Sequence, residues 1–143
     1  LKDYIIGKFE ATGVSPSQLQ FEGTETAAIR HFDRAMDLIH ALKDLGCYFS
    51  LDDFGSGLSS LGYLKELPVD YLKIDGSFIR TMELNEVGYS MVSTINHLGH
   101  IMGIATIAEC VENSTQLSML QEIGVDYAQG FLIARPQPLA QLS

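Results

Sequence analysis

Apolar and polar positions alternate along the chain with two periods, and the change from one to the other marks out its elements. Leu1, Ile5 and Phe9, with Tyr4 beside them, have helical spacing as far as Ala11, with Gly13 as the stop. Gln18 to Glu22 alternates as a short strand does. Ile29, Phe32, Met36, Ile39 and Leu42 then form one stripe of a two-faced helix over 27–45, closed by Gly46. Cys47 to Leu51 reads as a strand ending in an acidic turn, Leu58 to Leu67 as a short helix stopped by Pro68, and Val69 to Ile74 as the next strand. Val87, Met91, Ile95 and Leu98 predict another helix, capped by Gly103. Ile104 to Ala108 is the nearly all-apolar strand expected where both faces are covered. Asn113 and Gln116 have capping-box spacing and open a helix that runs to Gly124. Val125 to Ile133 holds a last strand interrupted at Gln129-Gly130, and Arg135-Pro136-Gln137-Pro138 ends regular structure.

Leu45-Gly46, Met102-Gly103 and Ile123-Gly124 each close a helix and begin a strand. In the first two, a carboxylate follows the glycine at the same interval, Asp52 after Gly46 and Glu109 after Gly103; Gln129 falls at about that place in the third. Helix-then-strand units predict an α/β fold of parallel strands with crossover helices, and five such strands are visible. Parallel strands bring their carboxyl ends to one edge, so Glu22 and Glu25, Asp52 and Asp53, Lys73 and Asp75, Glu109 and Glu112, and Gln129 converge there. One polar residue after a strand carries no message. A largely acidic set with one lysine is hard to leave unpaired in a packed protein.

Length, 143 residues, is enough for one domain with a real core. Because the chain opens on Leu1, inside a helix, it reads as an excerpt of a longer polypeptide. The longest apolar stretch, Ile101 to Ala108, is far too short to cross a bilayer, and no charged-then-apolar leader is visible within these residues, so no membrane contact is expected from this segment, while an upstream part could still hold a leader or a span. A formal net charge of −9 with scattered Lys and Arg argues against binding a DNA or RNA polymer, which needs a basic footprint. An acidic protein can still hold an anionic substrate through metal ions. Cys47 and Cys110 lack metal-type spacing and read as reduced, half-buried thiols of a cytoplasmic protein.

Asp52 and Asp53 are adjacent, so on a regular strand they would face opposite sides unless the backbone bends. Two carboxylates so close repel one another unless a cation lies between them, and the glycines that follow allow close approach of backbone and ligand. The plain alternative is a strand ending in a polar turn. Carboxylates and an amide favour hard ions, Mg²⁺ or Mn²⁺, over zinc. His31, His40, His97 and His100 fall on predicted helices away from the edge, as packing or surface residues. Two metals on shared carboxylates suit in-line attack of water on a phosphodiester, with Lys73 orienting the water or neutralising developing charge. Lys73 as a Schiff-base nucleophile is the competing use, disfavoured because neighbouring carboxylates favour the ammonium over the free amine.

Asp52-Asp53-Phe54-Gly55-Ser56-Gly57, Leu67-Pro68-Val69-Asp70, Leu72-Lys73-Ile74-Asp75, Ala108-Glu109-Cys110-Val111-Glu112 and Gln129-Gly130-Phe131 with Arg135-Pro136 closely resemble the EAL family of cyclic di-GMP phosphodiesterases. The resemblance runs in order across nearly the whole chain. It implies a (β/α)8 TIM-barrel-like domain, present here as its carboxyl-terminal portion, 1–143, an incomplete barrel of about five βα units, with a two-metal Mg²⁺ or Mn²⁺ site that hydrolyses cyclic di-GMP to linear pGpG. Position by position, Glu22, Asp52 and Asp53 resemble metal ligands and Lys73 the lysine that contacts the catalytic water. Glu109 resembles the general base or a second-metal ligand. Asp75, Glu112 and Gln129 match supporting positions around substrate and metal. Glu25 resembles the glutamate that steadies the acidic loop, and Phe54 and Gly55 the loop that couples the site to a homodimer.

Three positions depart from that family pattern: Gly23 stands in place of an aliphatic residue, Cys110 in place of a glycine, and Leu58 in place of an aromatic. If position 110 needs positive φ, its cysteine strains or moves Glu109. By the family pattern the Glu-Ala-Leu motif, two strands and two metal ligands are expected upstream of Leu1, so the isolated segment is expected to be inactive. The alternative to an enzyme is a degenerate domain that senses cyclic di-GMP or a protein partner without turnover.

Overall fold

The computed structural model describes residues 7–8, 11–13, 15, 20–54, 65–130 and 133–138; of Glu25, Asp53 and 133–138 it describes the backbone only. The helix expected over 1–11 falls largely outside the described residues, with helical backbone at 7–8 and 11–12, and the helix expected at Leu58 to Leu67 lies mostly outside them.

Five parallel strands follow one another in sheet order as in sequence: β1 (Gln20–Thr24), β2 (Tyr48–Phe54), β3 (Tyr71–Ile74), β4 (Ala105–Val111) and β5 (Tyr127–Gly130). The helices α1 (Glu25–Arg30), α2 (Phe32–Asp44), α3 (Gly76–Leu84), α4 (Glu86–Ile101) and α5 (Ser114–Ile123) lie between them in the chain. This is the α/β arrangement of a partial barrel. Phe49, Leu51, Leu72, Ile74, Ala108 and Ala128 join Ile39, Leu42, Ile79, Val92 and Leu120 of the helices in one core. Gly46, Gly103 and Gly124 take φ of 91°, 74° and 90°, the left-handed turn that lets each helix stop and the chain return as a strand. Asn113 caps α5 by accepting from Gln116 N at 2.8 Å. The Gln116 amide oxygen accepts in return from Glu112 N at 2.8 Å, so the predicted box closes one residue further out.

Four expectations need correction. The single helix over 27–45 is two, because His31 (φ −128°, ψ 51°) leaves helical geometry between α1, which buries Ala28, and α2, which buries Ile39 and Leu42. Between β3 and α4 lies α3, whose first turn is capped by Asp75. On α4 the inward residues are Gly88, Val92, Ile95, Asn96 and Gly99, while Val87 and Met91 are exposed. The turn is set by Gly88, where a Cβ would lie 2.5 Å from the Thr81 carbonyl oxygen: α3 crosses α4 at a point without a side chain. Finally, Arg135 to Pro138 does not end regular structure. Ile133–Pro138 forms β6, antiparallel to β5 at the edge of the sheet, where prolines without an N–H are tolerated.

The thiols are also distributed unevenly. Cys47 is buried and Cys110 exposed, and both are free, so neither is half-buried.

Candidate active site

Alternation along each strand assigns the site to one face of the sheet. Tyr71 stacks between Tyr48 and Tyr127, with ring centroids 6.2 and 6.0 Å apart, which places these three on the same face of β2, β3 and β5. Two residues further along each strand are Ser50, Lys73 and Gln129, on that face by the period of two. Register pairs Glu22 with Ser50 and Lys73 with Ile107, which extends the face to β1 and β4. The opposite face carries Phe49, Leu51, Leu72 and Thr106 toward the helices.

Lys73 is buried at 5% exposure and its ammonium donates to the Glu22 carboxylate, reaching over β2 from β3 to β1. Ser50 lies on the strand between them, fully buried, and its Oγ has no hydrogen-bond partner among the described residues. The same is true of Gln129 Oε1 on β5. One is a hydroxyl that can donate or accept and the other an amide oxygen that accepts, and a buried polar atom without a partner is costly unless something satisfies it. Sequence reading missed Ser50, although its place in the series Tyr48, Ser50, Asp52 gives it the same face as the acids.

The acidic positions stand at two irregularities of the sheet. Leu51 pairs with Leu72 and Phe54 with Ile74, so β2 has one more residue than β3 across that interval; the surplus is Asp52-Asp53. Ala108 pairs with Ala128 and Val111 with Gly130, so β4 has a surplus at Glu109-Cys110. These are β-bulges, the bend that two adjacent carboxylates need if they are not to face opposite sides. The strand therefore runs through the acidic pair to Phe54, where sequence reading had it end at Leu51. Thr24 stands beside Asp52 in register and caps α1, accepting from Ala27 N at 3.2 Å.

Cys110 has φ 58°, the one positive φ among the described residues that are not glycine, as its place in the motif had suggested. Burial pushes its thiol up from the ordinary range, and the Glu109 charge adds to that. Gly23 does not leave a hole: a Cβ there would lie 3.0 Å from Phe49 Cζ, so the phenylalanine ring takes the space of the expected aliphatic side chain.

The structure brings the remaining sequence candidates to the same edge with different partners. Asp75 accepts from Ser77 N at 3.3 Å and from the Ser77 hydroxyl as the cap of α3. Glu112 is exposed beyond β4, its N–H held by Gln116. Glu25 begins α1 and Phe54 is buried at the end of β2; Gly55 lies outside the described residues. A cavity of about 530 Å³ sits instead beside β1 against α1 and α2, lined by Phe21, Ala28, Leu38 and Leu42. Glu22 and Thr24 also line it, at the rim of an otherwise largely apolar wall.

For a divalent ion, the donor types fit: carboxylate and amide oxygens suit hard cations. Their number at one point is smaller. Among the described residues no three His, Cys, Asp or Glu side chains converge closely enough to hold a metal, and Glu22 is engaged by Lys73. The set fits as a portion of a metal centre. Also among the described residues, no helix is long and apolar enough to cross a membrane.

Parallel βα units with acids and a lysine gathered on one face define a barrel-type α/β domain with a polar strand-end site. The chain belongs to the EAL domain family, whose sequence profile matches residues 2–136. It is 52% identical over 126 residues to cyclic di-GMP phosphodiesterase PdeB of Shewanella oneidensis and 43% identical over 122 residues to cyclic di-GMP phosphodiesterase PdeF of Escherichia coli. These matches cover 87% and 85% of the chain but 15% and 16% of the relatives, so the chain spans about a sixth of their length. Among solved structures, the PaMucR phosphodiesterase in its c-di-GMP complex superposes with a TM-score of 0.88 at 38% identity, over 99% of this chain and 57% of that one. The manganese/cy-diGMP complex of Klebsiella pneumoniae BlrP1 gives 0.84 at 31%, over 96% of this chain and 35% of that one.

Proposed function

We propose that this chain is the carboxyl-terminal portion of an EAL barrel domain that hydrolyses cyclic di-GMP to linear pGpG with Mg²⁺ or Mn²⁺. The observation that carries the reading is the shared face on which Lys73 meets Glu22 across β2, beside the bulges bearing Asp52-Asp53 on β2 and Glu109 on β4. Named relatives are cyclic di-GMP phosphodiesterases, and solved neighbours hold the dinucleotide with manganese or calcium. Glu22, Asp52, Asp53 and Glu109 would hold the ions. Ions bound there would polarise a phosphodiester oxygen and acidify water.

The chain's own groups have separate tasks. Lys73, buried and positively charged, orients the attacking water and balances charge developing on phosphate. Glu109 takes the proton from that water. Gln129 offers an unpaired amide oxygen to substrate or to an ion's hydration shell, and Asp75 and Glu112 frame the edge. Glu25, Phe54 and Gly55 belong to the segment that ties the site to a homodimer, and the working compartment is the cytoplasm.

The test is hydrolysis of cyclic di-GMP by the full-length protein with Mg²⁺ or Mn²⁺, with Asp52→Asn as control. Turnover lost in the variant supports the reading; a wild type inert with both ions overturns it. One observation favours a second reading, binding without turnover: Cys110, directly after the proposed base, takes a positive φ of 58° where the EAL pattern has glycine. Calorimetric binding of cyclic di-GMP in saturating metal, without product, would select it.

A further inference from the structure

The residue beside the proposed base has an unusual seat. Cys110 takes φ 58° inside the β4 bulge, a left-handed conformation that a residue with a Cβ rarely adopts. Two glycines receive that bulge, one from each side. A Cβ built on Gly76 would lie 2.7 Å from Cys110 Sγ and 2.8 Å from its Cβ, distances that real Cβ atoms do not show. A Cβ on Gly130 would lie 2.2 Å from the Val111 carbonyl oxygen and 2.4 Å from its nitrogen. Gly76 directly follows Asp75 at the end of β3, and Gly130 directly follows Gln129 at the end of β5. The bulge that carries Glu109 is thus gripped by the ends of both neighbouring strands.

Gly76 has no positive φ to account for it, and it sits in the first turn of α3, where alanine is the better residue. Its missing side chain is explained by the thiol that fills the space. Where the EAL pattern places glycine at position 110, this chain has cysteine, and the room for that cysteine comes from Gly76.

We infer that Gly76 and Cys110 are a matched pair of positioning residues: the contact between them seats the β4 bulge against the end of β3 and thereby aims Glu109 relative to Lys73. Cys110 on this reading is an accommodated substitution that leaves the site competent, in place of a lesion that disables it. The inference deepens the phosphodiesterase reading and rests on it for its catalytic consequence, while the contact itself does not.

A four-variant cycle on the full-length protein tests it: wild type, Gly76→Ala, Cys110→Gly and both together. Gly76→Ala pushes a methyl into Cys110 and should lower kcat about tenfold or more, with KM changed less than about threefold, because a small displacement of a catalytic group acts on the chemical step. Cys110→Gly removes the obstacle and tolerates the positive φ, so the double variant should return to within about threefold of the Cys110→Gly single. A double variant no better than Gly76→Ala, or a Gly76→Ala enzyme equal to wild type, overturns the inference. If Gly76→Ala does not fold, the double variant must fold; failure of both overturns the pairing. Alkylation by iodoacetamide, followed on the Cys110 peptide by mass spectrometry, reads the contact without turnover. A rate shifted about threefold or more in Gly76→Ala supports the pairing, as expected when a thiol held against Gly76 is displaced. An unchanged rate sinks it. An inert wild type would remove the phosphodiesterase reading and leave the pairing to be decided by that labelling and by the folding of the double variant.

Discussion

Lys73 and Glu22 are joined across an intervening strand, and their environments differ: the lysine side chain is 7% exposed and the glutamate side chain 45%. The buried partner is the positive one. An ion pair with one wet end contributes little to folding, so removing it should cost little stability. Lys73→Met, similar in length and apolar, should change unfolding free energy by less than about 1 kcal/mol. It should lower turnover of cyclic di-GMP by about 10²-fold or more, the usual effect of removing a preorganised charge. Chemical denaturation and steady-state rates of the two proteins decide it. A variant that keeps most of its activity would reduce Lys73 to a packing residue.

Much of this site could be read from the sequence because its residues follow strands, and the strands are fixed by strong local signals. Gly46, Gly103 and Gly124 punctuate three helix-to-strand junctions, and each proved to need its left-handed φ. Cys110 was readable by contrast with the EAL pattern, and its positive φ follows from the bulge. Other features are set by contacts that local patterns do not carry. The orientation of α4 depends on Gly88 meeting the backbone of Thr81, so the apolar Val87 and Met91 form a misleading stripe. β6 was hidden by Pro136 and Pro138, which break a central strand and are harmless at an edge. Ser50 was passed over because a lone serine inside an apolar run carries no signal until its neighbours across the sheet are known.

Stability should fall with alkali in a manner set by three groups. Burial raises the thiols of Cys47 and Cys110 and the phenol of Tyr71 above their ordinary values. For Cys110 the Glu109 charge adds to burial, and for Tyr71 the neighbouring Tyr127 and Tyr48 do. An unfolded chain gives up these protons first, so the native state binds more protons and loses stability as pH rises. The contribution is complete below about pH 8.5, where an ordinary thiol begins to ionise, and is lost as pH climbs through the raised native values; Tyr71 joins from about pH 10. Urea midpoints should fall steadily from about pH 8 to about pH 10.5, and Cys47→Ala with Cys110→Ala should flatten the early portion of that fall. A midpoint that rises with pH over this range would refute the assignment.

Gly88 should be intolerant of any side chain. A Cβ there would lie 2.5 Å from the carbonyl carbon and oxygen of Thr81 and 2.7 Å from Met82 N, all backbone atoms that cannot turn aside. Gly88→Ala gains helix propensity, worth about 1 kcal/mol, yet forces α3 and α4 apart. Overpacking of this kind typically costs about 1–3 kcal/mol, so the net change should be destabilising. Thermal unfolding checks the sign, and a stabilised variant would show that the helix crossing is looser than the structure has it.

At the opposite end of the strands from the proposed site, Asp126 ties β4 to the start of β5. Its Oδ2 accepts from Thr106 N at 2.9 Å and lies 2.7 Å from His100 Nε2. Thr106 is fully buried, and its hydroxyl also donates to Asn96 Oδ1 at 2.6 Å. Asp70 has the same role in the preceding unit, accepting from Phe49 N at 2.8 Å with Lys43 at 2.7 Å. In both cases an aspartate just ahead of a strand satisfies an N–H of the preceding strand and meets a basic side chain from the last turn of the helix that leads into that preceding strand. The two partners of Asp126 should differ sharply in worth. Asp126→Ala strands the buried Thr106 N–H and should cost about 2 kcal/mol. His100→Ala removes one member of a pair whose side chains are 39% and 37% exposed, and should cost under about 1 kcal/mol. Both variants should keep the turnover of the folded enzyme, since neither residue reaches the strand ends that carry Asp52 and Glu109. Unfolding midpoints and rates at a temperature where both are folded provide the check; a His100→Ala protein as unstable as Asp126→Ala would mean that the ion pair, and not the buried amide, holds this end of the sheet.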